Sequence, residues 1–212
     1  MTDVHCHLSA NDPRIRELIV GRDFLGVHPW DAAKGVPEDL RARLRQSPNL
    51  GVGEIGLDRL RAREISEEMR EVFRVQLRLA GELHRVVALH GAKCWGQVVA
   101  ECGRFGAGVT AWLFHGFSRA VGLLPEIVRL NGYVSIGPAI LNDHAVNYRE
   151  LARKIPAERL LVETDRTIES APTCPAIGEI VAALARIRGV PTDALDALLD
   201  RNADAFWYNT RI

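Results

Sequence analysis

Asp3-Val4-His5-Cys6-His7 opens the chain and decides how the rest of it is read. In an extended strand alternate side chains share a face, so His5 and His7 project together while Cys6 turns away. Two imidazoles side by side form a two-pronged grip for a divalent cation. An exposed His pair on a surface strand would look the same. The metal reading therefore needs partners elsewhere in the chain.

Four further stretches supply them: Gly51-Val52-Gly53-Glu54-Ile55-Gly56-Leu57-Asp58, Val86-Val87-Ala88-Leu89-His90, Ala111-Trp112-Leu113-Phe114-His115 and Leu160-Leu161-Val162-Glu163-Thr164-Asp165. Each is a short apolar run ending in a carboxylate or a His, and each precedes a helical pattern. Apolar runs without alternation are what strands buried on both faces look like. Strands alternating with helices mean parallel βα units. In a parallel barrel the C-terminal strand ends gather at one mouth. The expected fold is therefore α/β, a TIM-barrel-like parallel βα barrel in a single domain over residues 1–212. About seven strands are legible, so the barrel is expected to be incomplete or distorted. His5, His7, Glu54, His90, His115 and Asp165 then converge as candidate metal ligands.

The 212 residues are 47% hydrophobic and 25% charged, with a formal net charge of zero. No net positive field exists to attract nucleic acid, so any such binding must use a local patch. No apolar run is long enough to span a membrane, and Met1 leads straight into the His5/His7 strand. Cys6, Cys94, Cys102 and Cys174 lack C-x-x-C spacing and read as free thiols of a reducing compartment. A cytoplasmic monomer or weak oligomer is expected.

Asp12-Pro13 reads as the N-cap and first residue of a short helix ending near Gly21. A second strand follows over 23–30 and ends in His28. That His is a further ligand, a substrate contact or a residue that orders the turn at Pro29, with substrate or outer-shell contact preferred over ligation. Arg59, Arg61 and Arg63 alternate beside the Glu54 strand. They suit phosphate oxygens, which guanidinium groups fork, or form a salt-bridged loop. Residues 66–83 form the clearest helix, with Val72, Phe73, Gln76, Leu77, Ala80 and Leu83 as a core stripe. A sixth strand over 133–136 carries no evident ligand, a seventh follows at 160–164, and helices over 175–188 and 192–205 close the chain.

These motifs in this order resemble the TatD family of metal-dependent deoxyribonucleases, within the amidohydrolase-like TIM-barrel superfamily. The matching pieces are DVHCHL (3–8), GVHPWD (26–31), GVGEIGLD (51–58), VFRVQLRLAGEL (72–83), ALHGAKC (88–94), FHGFS (114–118), YVSIG (133–137), RLLVETD (159–165) and RNADAF (201–206). The resemblance implies the same six metal ligands. His5, His7 and Asp165 would take one ion, and His90 and His115 a second. Glu54 would bridge them, since a carboxylate has two oxygens. Two divalent ions (zinc, manganese or magnesium) then activate a water, with Glu54 and Asp165 as the catalytic carboxylates. It further implies 3′-5′ exonuclease action on single-stranded DNA, for which the residues themselves offer His28, Trp30, Arg59 and Arg61 as candidate substrate contacts. The alternatives are a hydrolase of a small C–N, C–O or phosphoester substrate, or a metal-binding protein without turnover. Three positions depart from the family pattern. Ala92 stands where an Arg is usual, Arg59 where an aromatic is usual, and Arg166 follows ETD in place of a small residue. About twenty residues also stand where a further βα unit is usual, between the first His pair and GVHPW.

Overall fold

The computed structural model describes residues 1–61, 63–118 and 120–208. Eight strands run in chain order: β1 (Thr2–Cys6), β2 (Arg16–Ile19), β3 (Phe24–Leu25), β4 (Gly51–Asp58), β5 (Val87–Ala92), β6 (Trp112–Phe114), β7 (Gly132–Ile136) and β8 (Leu160–Val162). Strands β3 to β8 form one parallel sheet in sequential order, and β1 pairs in parallel with β2 alone. Isolated contacts join the two sheets. At one seam the Asp165 N–H donates to the His5 carbonyl (3.0 Å), and His7 and Leu8 donate to the Arg166 carbonyl (2.8 and 2.9 Å). At the other, Val20 bridges Phe24. The arrangement is that of a parallel βα barrel whose ring is not a continuous ladder.

The strand count is eight where seven are legible in the sequence, and the difference lies in residues 12–21. That stretch contains β2 and no helix. Asp12 initiates only a turn: its carboxylate accepts from the Arg14 N–H (3.0 Å) and its carbonyl from the Ile15 N–H (3.0 Å). Glu17 then reaches back into the preceding loop, accepting from the Ser9 hydroxyl (2.5 Å) and the Ala10 N–H (2.6 Å). Pairing with β1 overrides the local helix signal, because a buried β1 must satisfy its own backbone groups. The expected strand over 23–30 is likewise only Phe24–Leu25. After it the chain turns at His28 into a 3-10 helix, Pro29–Lys34.

Helices α1 (Leu40–Gln46), α2 (Glu67–Glu82), α3 (Trp95–Phe105), α4 (Leu124–Arg129), α5 (Val146–Lys154), α6 (Ile177–Arg188) and α7 (Thr192–Tyr208) complete the fold. The α2 helix starts where Ser66 caps it, its hydroxyl accepting from the Met69 N–H (3.1 Å). Phe73, Gln76, Leu77 and Ala80 of the expected stripe are buried. Gln76 bonds both backbone groups of Val27, through Oε1 to its N–H (2.7 Å) and through Nε2 to its carbonyl (3.1 Å). A polar side chain inside an apolar stripe thereby fixes the residue before His28.

Alternation along β5 and β6 puts Ala88 on the face of His90 and Leu113 on that of His115, and Leu161 of β8 joins them. With Phe24, Tyr133 and Phe206 these residues form an inner cluster beneath the polar strand ends. Leu89, Trp112, Phe114, Leu160 and Val162 point outward into a second, larger cluster shared with the helices. Each such Leu or Phe contributes about 1.5–3 kcal/mol on burial. The mouth therefore stands on a packed base.

Gly56 pairs with His90 across β4 and β5, and a Cβ added to it would lie 1.9 Å from the His90 carbonyl oxygen at φ +152. Gly96 in the first turn of α3 has nothing within 4 Å of its added Cβ. Gly56→Ala is expected to destabilise the fold by about 3 kcal/mol or more, through overpacking and a backbone conformation L side chains avoid. Gly96→Ala should be neutral or stabilising by up to about 1 kcal/mol. Urea denaturation of the two variants checks the contrast.

Candidate metal centre

Glu54 is 3% exposed and stands near the middle of β4. Its two oxygens face different histidines. Oε1 lies 2.7 Å from His90 Nδ1, 2.7 Å from His115 Nε2 and 3.4 Å from His28 Nε2. Oε2 lies 3.4 Å from His5 Nε2 and 3.3 Å from His7 Nε2. Asp165 Oδ1 completes the ring, 3.7 Å from His5 Nε2 and 3.6 Å from His7 Nε2. All six sequence-predicted ligands thus come together at one mouth, supplied by β1, β4, β5, β6 and the loop after β8. Asp165 sits in the left-handed region (φ 49), held there by its N–H bond to the His5 carbonyl.

Three compact groups of potential ligands occur among the described residues: His5, His7 and Asp165; His5, Glu54 and His115; and His28, Glu54 and His90. The first is the expected set for one ion. The others place His115 and His90 in separate groups, although both lie 2.7 Å from the same Glu54 oxygen, as expected. His115 stacks on His5 (ring centroids 3.8 Å apart, 13° between planes), whereas His90 neighbours His28.

The electrostatics are those of a site built for positive charge. Burial alone would raise the Glu54 pKa, but His115 and the surrounding imidazoles hold it well below the usual carboxylate range. Burial pushes His5 down to about 4, aided by the neighbouring His115, so its ring is neutral. Burial would also lower His115, yet the Glu54 carboxylate carries it up to about 10. Both ring nitrogens of the fully buried His5 lack a hydrogen-bond partner among the described residues. An imidazole buried with two orphaned nitrogens is costly, and nitrogen and carboxylate donors around it are the chemistry a divalent cation takes. These residues fit such an ion.

The residues behind the ligands were not singled out from the sequence. Asp58 Oδ2 accepts from His90 Nε2 (2.9 Å) and from the Trp30 indole N–H (2.7 Å), while Oδ1 accepts from the N–H groups of Leu60 and Arg61 (2.6 and 2.8 Å). With Nε2–H on Asp58, His90 turns its other nitrogen to Glu54, the carboxylate–histidine arrangement that orients metal ligands. Glu163 lies 3.7 Å from His115 Nδ1 and accepts from the Ser135 hydroxyl (2.5 Å) and the Gly116 N–H (2.7 Å). Burial pushes its carboxyl up to about 7. Asp3 accepts from the His5 and Thr164 N–H groups (3.3 and 3.1 Å) and the Thr164 hydroxyl (2.6 Å). The available signal was position: Asp58 ends the Glu54 strand, Glu163 lies two residues before Asp165, and Asp3 two before His5.

Among the expected substrate contacts, Trp30 is 55% exposed, and the Arg61 guanidinium lies 4.5 Å above its ring centre. Both stand at the rim beside His28. A cavity of about 470 Å³ holds His7, His28, Trp30, Glu54, His90 and Asp165 in its lining. It adjoins a groove of about 970 Å³ that shares His90, His115 and Asp165 and adds Arg59, Lys93 and Ser118. All four cysteines are free thiols, and no described helix is long and apolar enough to cross a membrane.

Comparison with known proteins matches this arrangement. The family model for TatD related DNase covers residues 22–208. The chain is 31% identical over 159 residues to YabD of Bacillus subtilis, described as an uncharacterized metal-dependent hydrolase; the match spans 72% of this chain and 62% of that protein. It is 30% identical over 192 residues to the 3′-5′ ssDNA/RNA exonuclease TatD of Klebsiella pneumoniae, covering 84% of this chain and 73% of that one. Among solved structures, YjjV, a TatD homolog from Escherichia coli, superposes with a TM-score of 0.72 at 23% identity, over 94% of this chain and 79% of that one. A TatD family hydrolase from Entamoeba histolytica gives 0.73 at 17% identity, over 92% and 76%. The chain belongs to the TatD-related family of metal-dependent hydrolases.

Proposed function

We propose that this protein is a two-ion phosphodiesterase that removes nucleotides from the 3′ end of single-stranded DNA. The observation that carries the reading is the division of Glu54: one oxygen faces His90 and His115, the other His5 and His7. A carboxylate shared in this way suits a bridge between two cations. When bound, such ions supply Lewis acidity and a water that is nucleophilic at neutral pH. The His-rich donor set favours zinc or manganese over an oxygen-seeking ion such as magnesium.

The chain's own residues supply the rest. Asp165 is 47% exposed on its side chain and lines both cavities. From there it is able to orient an attacking water and accept its proton at a carboxylate oxygen. Trp30 offers an exposed ring on which a base stacks, and Arg61 over that ring adds charge for the backbone. Arg59 and Lys93 give the adjoining groove cationic character. The net charge of zero concentrates recognition in these local groups. The relatives named as single-strand exonucleases support the choice of substrate.

Metal-dependent release of nucleotides from 3′-labelled single-stranded DNA is the expected result with manganese or zinc. Glu54→Gln should lose bound metal and release together; activity that survives without metal loss removes the bridging role. A chelator should lower the melting temperature, and a metal at about a hundred times its Kd should restore about 2.7 kcal/mol of stability. Arg61→Ala should raise KM for an oligonucleotide roughly tenfold while sparing bis(p-nitrophenyl) phosphate. Equal losses on both substrates would take Arg61 out of substrate binding.

A further inference from the structure

Distance alone groups His28 with Glu54 and His90 as ligands for a cation, but the proton positions argue otherwise. His28 caps the 3-10 helix Pro29–Lys34: its Nδ1 accepts from the Trp30 backbone N–H (3.2 Å). A neutral imidazole has one lone pair and one N–H. With the lone pair at Nδ1 engaged by Trp30, the proton sits on Nε2. That is the nitrogen facing the centre, 3.4 Å from Glu54 Oε1 and 3.4 Å from His90 Nδ1. To ligate through Nε2, His28 would have to move its proton to Nδ1, where the Trp30 N–H already points. His90 is the opposite case. Its Nε2–H is committed to Asp58, which leaves Nδ1 as a lone pair toward the centre. Two adjacent histidines therefore enter the same cavity in opposite tautomers, one as an acceptor and one as a donor.

The donor is held firmly. Gln76 clamps both backbone groups of Val27 on one side. On the other side Trp30 is tied to Asp58 through its indole N–H. The His28 ring is 4.6 Å from both the Trp30 and His90 rings.

We propose that His28 is the hydrogen-bond donor to a phosphoryl oxygen of the substrate, and not a third ligand of the second ion. This assignment rests on the phosphodiesterase reading for the identity of the substrate. Phosphate oxygens are strong acceptors, and an N–H directed into a cavity also lined by Glu54 and Asp165 meets one wherever the phosphoryl group is held against the metal ligands. Bidentate cations at the rim would hold the neighbouring backbone, while His28 sets the orientation of the reacting group.

The experiment compares His28→Asn, His28→Gln and the full-length wild type, each loaded with manganese. Asn is among the best N-caps, so it keeps the bond from Trp30 while removing the donor at Nε2. Gln carries an amide N–H at nearly the reach of Nε2. Bound metal measured by elemental analysis is expected to be unchanged in both variants. Affinity for inorganic phosphate, measured by calorimetry, should fall about 10- to 100-fold in His28→Asn, as for loss of a hydrogen bond to a charged group, and recover in His28→Gln. On an oligonucleotide, kcat should follow the same order with KM little changed. Loss of one equivalent of metal in His28→Asn makes His28 a ligand and overturns the proposal. Unchanged phosphate affinity and kcat in His28→Asn overturn it as well. If the wild type hydrolyses no oligonucleotide, the nuclease reading fails, while metal content and phosphate affinity still decide the role of His28.

Discussion

A carboxylate buried to 3% exposure must be surrounded by positive charge or hydrogen-bond donors, and Glu54 is surrounded by five imidazoles. The rest of the structure follows from that demand. Five histidines reach one point because β1 brings His5 and His7, the turn after β3 brings His28, and β5 and β6 bring His90 and His115, all running parallel to β4 and finishing at the same mouth. The strands must also approach closely: Gly53 and Gly56 flank Glu54 and leave no room for side chains against Ala88 and the His90 backbone. β4, the longest strand at eight residues, is buried throughout its length.

Behind the ligands stands a second tier of carboxylates. Asp58 bonds His90, Glu163 lies 3.7 Å from His115 without a hydrogen bond to it, and Asp3 binds the His5 N–H and both polar groups of Thr164. Each also accepts from a backbone N–H of a loop at the rim or beside it, so the carboxylates that face the histidines also fix loops, in Asp58 and Glu163 through the other oxygen. Asp58 shows this most fully. It holds His90, the Trp30 indole and the first turn of the loop that carries Arg61. The rim that would meet a substrate and the ligand that would hold an ion thus share one hydrogen-bond acceptor. Movement of Trp30 and orientation of His90 are coupled through it.

The convergence of the six candidate ligands was legible because strand ends in a parallel barrel converge, and an apolar run ending in His or a carboxylate states both halves of that argument. β2 was not legible. Asp12-Pro13 is a good helix start, and nothing local reveals that Arg16–Ile19 pairs with β1. The ring contacts among the histidines were not legible either, since they depend on tertiary packing and not on spacing. His90 and His115 do meet at Glu54 Oε1, but that His115 also stacks on His5 and His90 lies beside His28 is visible only in the structure. Asp58, Glu163 and Asp3 escaped notice for a simpler reason: acidic residues near strand ends are common, and only their contacts distinguish an orienting group. For His28 the deciding fact is a backbone N–H two residues away.

The wall of the barrel between β1 and β3 is built from very little: no helix lies between β1 and β2, or between β2 and β3. His5 and His7 are nonetheless held in place. Their strand is tied to the chain after β8 by the bonds between His5 and Asp165 and between His7 and Arg166. The same seam carries Asp3, which locks Thr164 to β1. The candidate ligands of the first group, His5, His7 and Asp165, are therefore held by backbone hydrogen bonds across one seam, together with α7, which packs on β1 through Val4 and takes the Thr2 hydroxyl on Asp200. That seam explains how a chain without helices between β1 and β3 still gathers all six candidate ligands at its mouth.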